Sequence, residues 1–284
     1  MIMTPIELSI KRKIESVGIP LKDWNIQINY GIKTGFNDAF IISSEKRNEI
    51  LSNCATEEER SKTDEIIRPI LRGRDIKRYD YEFADQYIIA TFPSRQYNID
   101  DYQALREFLL SFGMERLEQT GKEYNINGEK VKARKKTNNK WFETQDSISY
   151  WEDFNRPKIL FQEIVQESQF MIDTDGTFFC NDTGRIIVGE GLYHLLGIMN
   201  STLFFYSIKS FYGGGILGDH GIRMKHTFFE KFPCIPIQER ISLMAEHLSQ
   251  DPEPRVQKEL DKLVFRLYGL TKDEVDYIHT VVNQ

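Results

Sequence analysis

The sequence predicts an α+β fold closed by a C-terminal helical tail, and two observations carry that expectation. Through the middle of the chain, short apolar runs such as "QYIIATF", "RPKILFQEIV" and "TGRIIVG" are bounded by Gly, Pro and Asp, the pattern of buried strands. From Gln238 onward the apolar period becomes helical: in "PRVQKELDKLVFRLYGL", Leu260, Leu263, Val264, Leu267 and Tyr268 share one face. A chain of 284 residues, 40% hydrophobic and 12% aromatic, can close a core without disulfide staples.

The elements follow in order. "TPIELSIKRKIESVG" predicts a helix with Thr4 as N-cap, Pro5 at the first helical position and Glu7 at capping-box spacing. Ile6, Ile10, Ile14 and Val17 form its apolar face, and Gly18 ends it. "WNIQINYGIKTGFNDAFII" reads as a hairpin-like pair of strands around "GIKTGFND", and residues 43–65 as polar and partly helical. "RPILRGRDIKRY" is short and charged, and reads as a surface loop with a few anchoring apolar residues. "QYIIATF" is a strand ended by Pro93; "DYQALREFLLSFGMERLEQTG" is one helix from its Asp cap to Gly121.

"RPKILFQEIV" reads as a buried strand, "SQFMIDTDGTFFC" as a hairpin on an Asp-Gly turn, and "TGRIIVG" as another strand. "LYHLLGIMNSTLFFYSIKSF" is an apolar helix, "YGGGILGDHG" a mobile glycine loop, and "MKHTFFEKFPCIPI" a strand. Three helices close the chain, the last with Thr271 as cap and Glu274 at capping-box spacing. The expected organisation is a connecting helix over 1–19, a domain over 20–237, and a helical tail over 238–284 that packs on it.

Several function classes fall away. Cys54, Cys180 and Cys234 are far apart and form no metal-ligand pair, as in a reducing cytoplasm. The N-terminus has charges too early for a signal peptide, and no stretch reaches the roughly 18 apolar residues of a membrane span, so a soluble cytoplasmic protein is expected. "YGGGILG" lacks the Gly-Lys-Ser/Thr end of a phosphate loop, no Gly-x-Ser-x-Gly elbow occurs, and the five histidines form no ligand pair. His194, among Leu192, Leu195 and Leu196, reads as a satisfied half-buried side chain. One enzymatic alternative stays open: Asp64, Asp75 and Lys77 have the residue types of a metal-dependent nuclease, which needs its carboxylates to converge on Mg²⁺.

Charge placement says more than the net charge of −6. Residues 66–140 hold fifteen Lys/Arg against eleven Asp/Glu, whereas residues 237–284 hold six against nine. The densest run, "KVKARKKTNNKW", contains Lys130, Lys132, Arg134, Lys135, Lys136 and Lys140, with Asn138, Asn139 and Trp141 among and after them. Arg68, Arg72, Arg74, Lys77 and Arg78 form a second cluster. Cations hold phosphates, while Arg, Asn and Gln read base edges and aromatics stack, so nucleic acid is the expected partner. The same charges fit a solvated loop, or an interaction subunit that binds an acidic protein.

Ordered blocks along the chain carry a resemblance. They are "GIKTGFNDAFII", "RPILRGRDIKRY", "ARKKTNNKWFETQDSISYWEDFNRPKILFQEI", "IMNSTLFFYSIKSFYGGG", "RMKHTFFEKFPCIPI" and "LDKLVFRLYGLTKDEVDYI". Together they resemble the TaqI-like C-terminal specificity domain, the target-recognition region of adenine-specific DNA methyltransferases and of fused type II restriction–modification enzymes. The resemblance implies a DNA-recognition module without catalysis of its own, bound to double-stranded DNA. Its methyltransferase domain would act in cis or in trans, and S-adenosylmethionine, with Mg²⁺ where a nuclease is fused, would belong to those catalytic domains. No Asn-Pro-Pro-Tyr/Phe motif occurs in this sequence, which has no Pro-Pro dipeptide. Lys130, Lys132, Arg134, Lys135 and Lys136 are the expected phosphate contacts, with Lys33, Arg72, Arg74, Lys77, Arg78 and Lys140 in support. Arg134, Asn138, Asn139 and Trp141 are the expected base readers.

Overall fold

Alternation along one strand sets the architecture. In Lys158–Gln162, Ile159 and Phe161 face one way and Leu160 the other, and all three are fully buried. A sheet with both faces dry needs a layer on each side. The computed structural model of the protein, which describes residues 3–213 and 221–283, supplies both.

The strand belongs to a four-stranded antiparallel sheet ordered Phe170–Asp173, Lys158–Gln162, Gly184–Gly189, Ile26–Tyr30. Its one face, with Ile159, Phe161, Phe170 and Ile187, packs into a helical layer. That layer joins Ile10 and Ile14 of Pro5–Val17 to Leu195, Phe204, Ile241, Leu260, Val264 and Ile278. Its other face, with Leu160, Met171, Ile186 and Val188, meets Ile70, Ile88 and Phe179 of a second four-stranded sheet. This second sheet runs Phe179–Cys180, Ile67–Leu71, Gln86–Ile89, Ile41–Ser43, with only the first pair parallel. Its far face carries Ile42, Ile67 and Ile89 against helices Ser44–Ser52, Glu57–Ile66 and Gln103–Leu110. The order of layers is helices, sheet, sheet, helices. Each fully buried Ile, Leu or Phe contributes roughly 1.5–3 kcal/mol of transfer free energy, so the three cores explain an α+β fold without staples.

Inside the sheet–sheet region lies one buried ion pair. Lys158, with no exposure, donates to Asp173 Oδ2 at 2.6 Å and to the Phe154 carbonyl at 2.7 Å. The Asp173 carboxylate also accepts from the amides of Thr177 and Phe178, at 3.1 and 2.8 Å. Desolvation pulls the Lys158 ammonium below the usual lysine range, and Asp173 opposes that pull.

Several expectations need correction. The strands Ile26–Tyr30 and Ile41–Ser43 do not pair as a hairpin; they enter different sheets. The Asp-Gly turn exists, with Gly176 at φ +67°, but it too is a crossover, because Phe170–Asp173 joins the first sheet and Phe179–Cys180 the second. "RPILRGRDIKRY" is no surface loop: it begins in the strand Ile67–Leu71, and Ile70, Leu71 and Ile76 are fully buried. The helix after Asp101 breaks at Gly113, whose φ of +87° ends the turn, into Gln103–Leu110 and Met114–Leu117.

The apolar helix is two, Leu192–Met199 and Thr202–Ser207, because Asn200 turns to the Phe170 backbone and Ser201 caps the second. "MKHTFFEKFPCIPI" holds no long strand; a helical turn His226–Phe229 interrupts it. His194 is fully buried, not half-buried, with both ring nitrogens partnered. "YGGGILGDHG" falls largely outside the described residues. No helix among the described residues is long and apolar enough to cross a membrane.

Candidate nucleic-acid interface

The cationic run begins in a hairpin. Glu123–Ile126 pairs with Glu129–Lys132 through Asn127 and Gly128, both at positive φ (54° and 88°). Two such residues make the twisted turn that favours Asn-Gly. Lys130 lies opposite Asn125 and Lys132 opposite Glu123, so both lysines share one exposed hairpin face.

Beyond the hairpin the run folds around Arg134. This side chain is 4% exposed and donates to the carbonyls of Thr34, Leu117, Trp141 and Glu143 over 2.5–3.0 Å. Burial pushes its pKa down to about 10, with Glu143 opposing. Against the expectation of a phosphate or base contact, the Arg134 donors are turned inward and occupied in holding the loop closed. Gln119 helps, bonding the carbonyls of Lys140 and Glu143 at 3.1 and 3.0 Å and accepting from Thr137 at 2.8 Å. Asn139, half-buried, is turned partly inward as well: its amide donates to the carbonyls of Thr144 and Gln145, at 3.2 and 2.8 Å. Trp141 is half-buried, edge-on to Phe142 at 5.5 Å. With these residues turned inward, Lys135, Lys136, Asn138 and Lys140 stand outward and exposed.

The loop is tied to the glycine-rich segment near the N-terminus. The Lys33 carbonyl accepts from the amides of Gln145 and Asp146, at 3.1 and 3.3 Å. A Cβ on Gly35, at φ +77°, would come within 2.9 Å of Gln145 Oε1 and 3.2 Å of Arg134 Cδ, so the close approach requires glycine. Exposed Lys33 thus reaches the same edge as Lys135. Burial pushes the Asp146 carboxyl up, Lys33 and Lys135 oppose that, and Asp182 adds to it. Asp182 is near because Ile32 bridges Asn181 in parallel, which carries Lys33 and Asp182 forward side by side.

Asp182 also opens the second cluster, a cleft of 530 Å³ lined by Arg72, Arg74, Gln162, Asn181 and Arg223 as well. Arg72 closes on Asp75 through two bonds of 2.8 and 2.7 Å. Burial raises the Asp75 pKa, but Arg72 outweighs it and holds the carboxyl below the usual range. Arg223 pairs with Glu163 at 2.9 Å, and Arg185 contacts the same carboxylate. Lys77 and Arg78 leave this cluster: Lys77 turns to the Arg74 carbonyl and Glu82, and Arg78 to the Asn200 carbonyl beside the C-terminal helices.

The nuclease alternative loses its geometry. Asp64 pairs with Arg47 on a helix, and Asp75 with Arg72. Among the described residues, the one group of three or more potential metal ligands is His247, Asp251 and Glu253, which includes neither Asp64 nor Asp75.

Of the residues expected from sequence, Lys33 and Lys135 both act on Asp146, as does Asp182, and Arg72 and Arg74 line the cleft with Asp182. Sequence reasoning missed Gln162, Asn181, Asp182 and Arg223, which are isolated in sequence. It missed the hairpin as well, although Asn127-Gly128 between alternating residues was a usable signal.

A family model described as the TaqI-like C-terminal specificity domain matches residues 68–234, more than half of the chain. Among solved structures, the type IIL restriction–modification enzyme MmeI, in complex with DNA, matches 93% of this chain with a TM-score of 0.58 and 14% identity. The type IIG restriction endonuclease BpuSI matches 98% with a TM-score of 0.54 and 11% identity. The chain spans 36% and 32% of the lengths of those proteins, and at such identities the likeness is one of fold. Comparison with curated proteins gives no match.

Proposed function

Since the chain belongs to the family of TaqI-like C-terminal specificity domains, we propose that it recognises duplex DNA for a type II restriction–modification enzyme whose methyltransferase acts on adenine. One observation carries this reading: cations distant in sequence (Lys33, Arg74, Lys135) are gathered along one edge beside a polar cleft. That arrangement fits phosphate contacts flanking a groove reader. An enzyme that modifies a base must extrude it from the stack at a cost of a few kcal/mol. A module that grips the duplex and reads the neighbouring bases selects which adenine is extruded.

In this reading the chain supplies binding and choice, and the chemistry lies in a methyltransferase domain joined in cis or in trans. S-adenosylmethionine, and Mg²⁺ where a nuclease is present, belong to those domains; no residue of this chain is assigned to either. The test is fluorescence anisotropy of the purified chain with labelled duplexes, beside a methyl-transfer assay with S-adenosylmethionine. Salt-sensitive duplex binding without methyl transfer is expected. Methyl transfer by the chain alone, or equal affinity for an acidic protein and for DNA, would overturn the proposal.

A further inference from the structure

The loop edge and the cleft differ in chemistry. The loop presents cations, which suits phosphates of any sequence. The cleft presents donors and acceptors together, and a carboxylate on a phosphate-binding surface would only repel.

The ion pairs around the cleft leave two groups over. Arg72 is closed by Asp75, and Arg185 and Arg223 by Glu163. Arg74 is exposed and has no carboxylate within ion-pair distance among the described residues. Asp182 is likewise exposed and unpaired; its carbonyl accepts from Arg185 at 2.8 Å, but its carboxylate makes no ion pair among the described residues. An unpaired guanidinium and an unpaired carboxylate therefore line one cleft without meeting each other.

Their separation is fixed by the backbone. The Gly73 amide donates to Thr183 Oγ1 at 2.9 Å, and that hydroxyl donates to Asn181 Oδ1 at 2.6 Å. A Cβ on Gly73 would stand 2.9 Å from Thr183 Oγ1 and 3.0 Å from Gln162 Cβ. The segments 72–74 and 181–183 are thus clamped together, and Arg74 and Asp182 extend from the two halves of the clamp.

We propose that Arg74 and Asp182 read one G·C base pair from the major groove, an assignment that rests on the DNA reading above. Guanine alone offers two adjacent acceptors, O6 and N7, to a guanidinium, and its partner cytosine offers the N4 amino group to a carboxylate. An A·T pair also offers an amino group, but not the adjacent pair of acceptors, so Arg74 decides between them. Asn181 acts as a brace, because Thr183 occupies its carbonyl oxygen.

The experiment is selection from a randomised duplex library by the full chain, repeated with Arg74→Gln, Asp182→Asn and the Lys135→Ala/Lys136→Ala double variant. The wild type is expected to select a G·C pair at one position. Both cleft variants should lose that preference, by about 5- to 150-fold, at that position and keep the others. The double variant should bind more weakly with an unchanged preference. Replacing the selected guanine by 7-deazaguanine removes N7 and should weaken the wild type but not Arg74→Gln. Thermal unfolding of each variant verifies the fold. If wild type and both cleft variants select the same sequence, the assignment is overturned while the DNA reading stands. If the wild type binds no duplex, both are overturned.

Discussion

Lys13 and Glu274 are 261 positions apart in sequence and 2.7 Å apart in the fold. Glu274 also accepts from Ser9 Oγ at 2.7 Å and from the Thr271 amide at 2.7 Å, so one carboxylate caps the last helix and fastens it to the first. Burial raises its pKa, but Lys13, Ser9 and the Thr271 amide outweigh that and bring it to about 2.

A pH dependence follows. The carboxyl ionises more readily in the folded chain than at its ordinary value of 4.5, so its contribution is complete above pH 4.5 and is lost as pH falls towards 2. The shift corresponds to a stabilisation on the order of 2–3 kcal/mol. Denaturant unfolding of wild type and Glu274→Gln should differ by that amount at pH 7 and converge in acid. A constant gap down to pH 3 would contradict the clamp.

His194 supplies a second proton linkage. Nε2 faces the Ile235 carbonyl at 3.0 Å, and Nδ1 accepts from the Gln238 amide at 3.3 Å, which fixes a neutral ring with its proton on Nε2. Burial lowers its pKa below 6.5. The unfolded chain therefore takes up a proton below pH 6.5 that the folded chain does not, and wild-type stability should decline from there. His194→Gln should be less stable at pH 7.5 and should show a flatter slope between pH 6.5 and 5.5.

Arg134 and Lys135 are neighbours with opposite fates. Arg134→Met leaves the carbonyls of Thr34, Leu117, Trp141 and Glu143 without their shared donor. A buried carbonyl left without its donor costs about 1–3 kcal/mol, and several are affected, so calorimetry should show Tm falling by roughly 10 °C. Lys135→Ala should leave Tm within a degree or so. Equal effects of the two substitutions would refute the inward placement of Arg134.

For affinity the order reverses. Each phosphate contact contributes about −0.9 to the slope of log affinity against log salt. Lys135→Ala/Lys136→Ala should flatten the slope of duplex binding by nearly two units, read by anisotropy across a salt series. An unchanged slope would make these lysines solvated surface only.

The sequence was legible where information is local. Thr4 with Glu7, and Thr271 with Glu274, announce helix starts within four residues, and both capping boxes form. The short apolar runs in "KILFQ" and "GRIIVG" marked strands correctly. Partners were hidden, because a strand's neighbour depends on residues far away: Ile26–Tyr30 pairs with Gly184–Gly189, not with the strand after its turn. Side-chain direction was hidden too. Arg134 looks like any other cation in "KARKK", and two of the four carbonyls that turn it inward come from residues 34 and 117, far from it in sequence. Asp182 and Arg223 are single letters in unremarkable contexts until the fold brings them to one cleft.

The Arg134 hub has a consequence for how such a loop can change over generations. A loop held by an apolar core constrains most of its own letters, since each one must pack. Here one guanidinium, helped by Gln119 and Asn139, anchors the backbone through carbonyl groups that every amino acid carries. The outward letters at 135, 136, 138 and 140 are then uncoupled from folding. They can be exchanged singly, so grip on the duplex can drift in small increments of charge while the frame that positions the cleft is inherited intact.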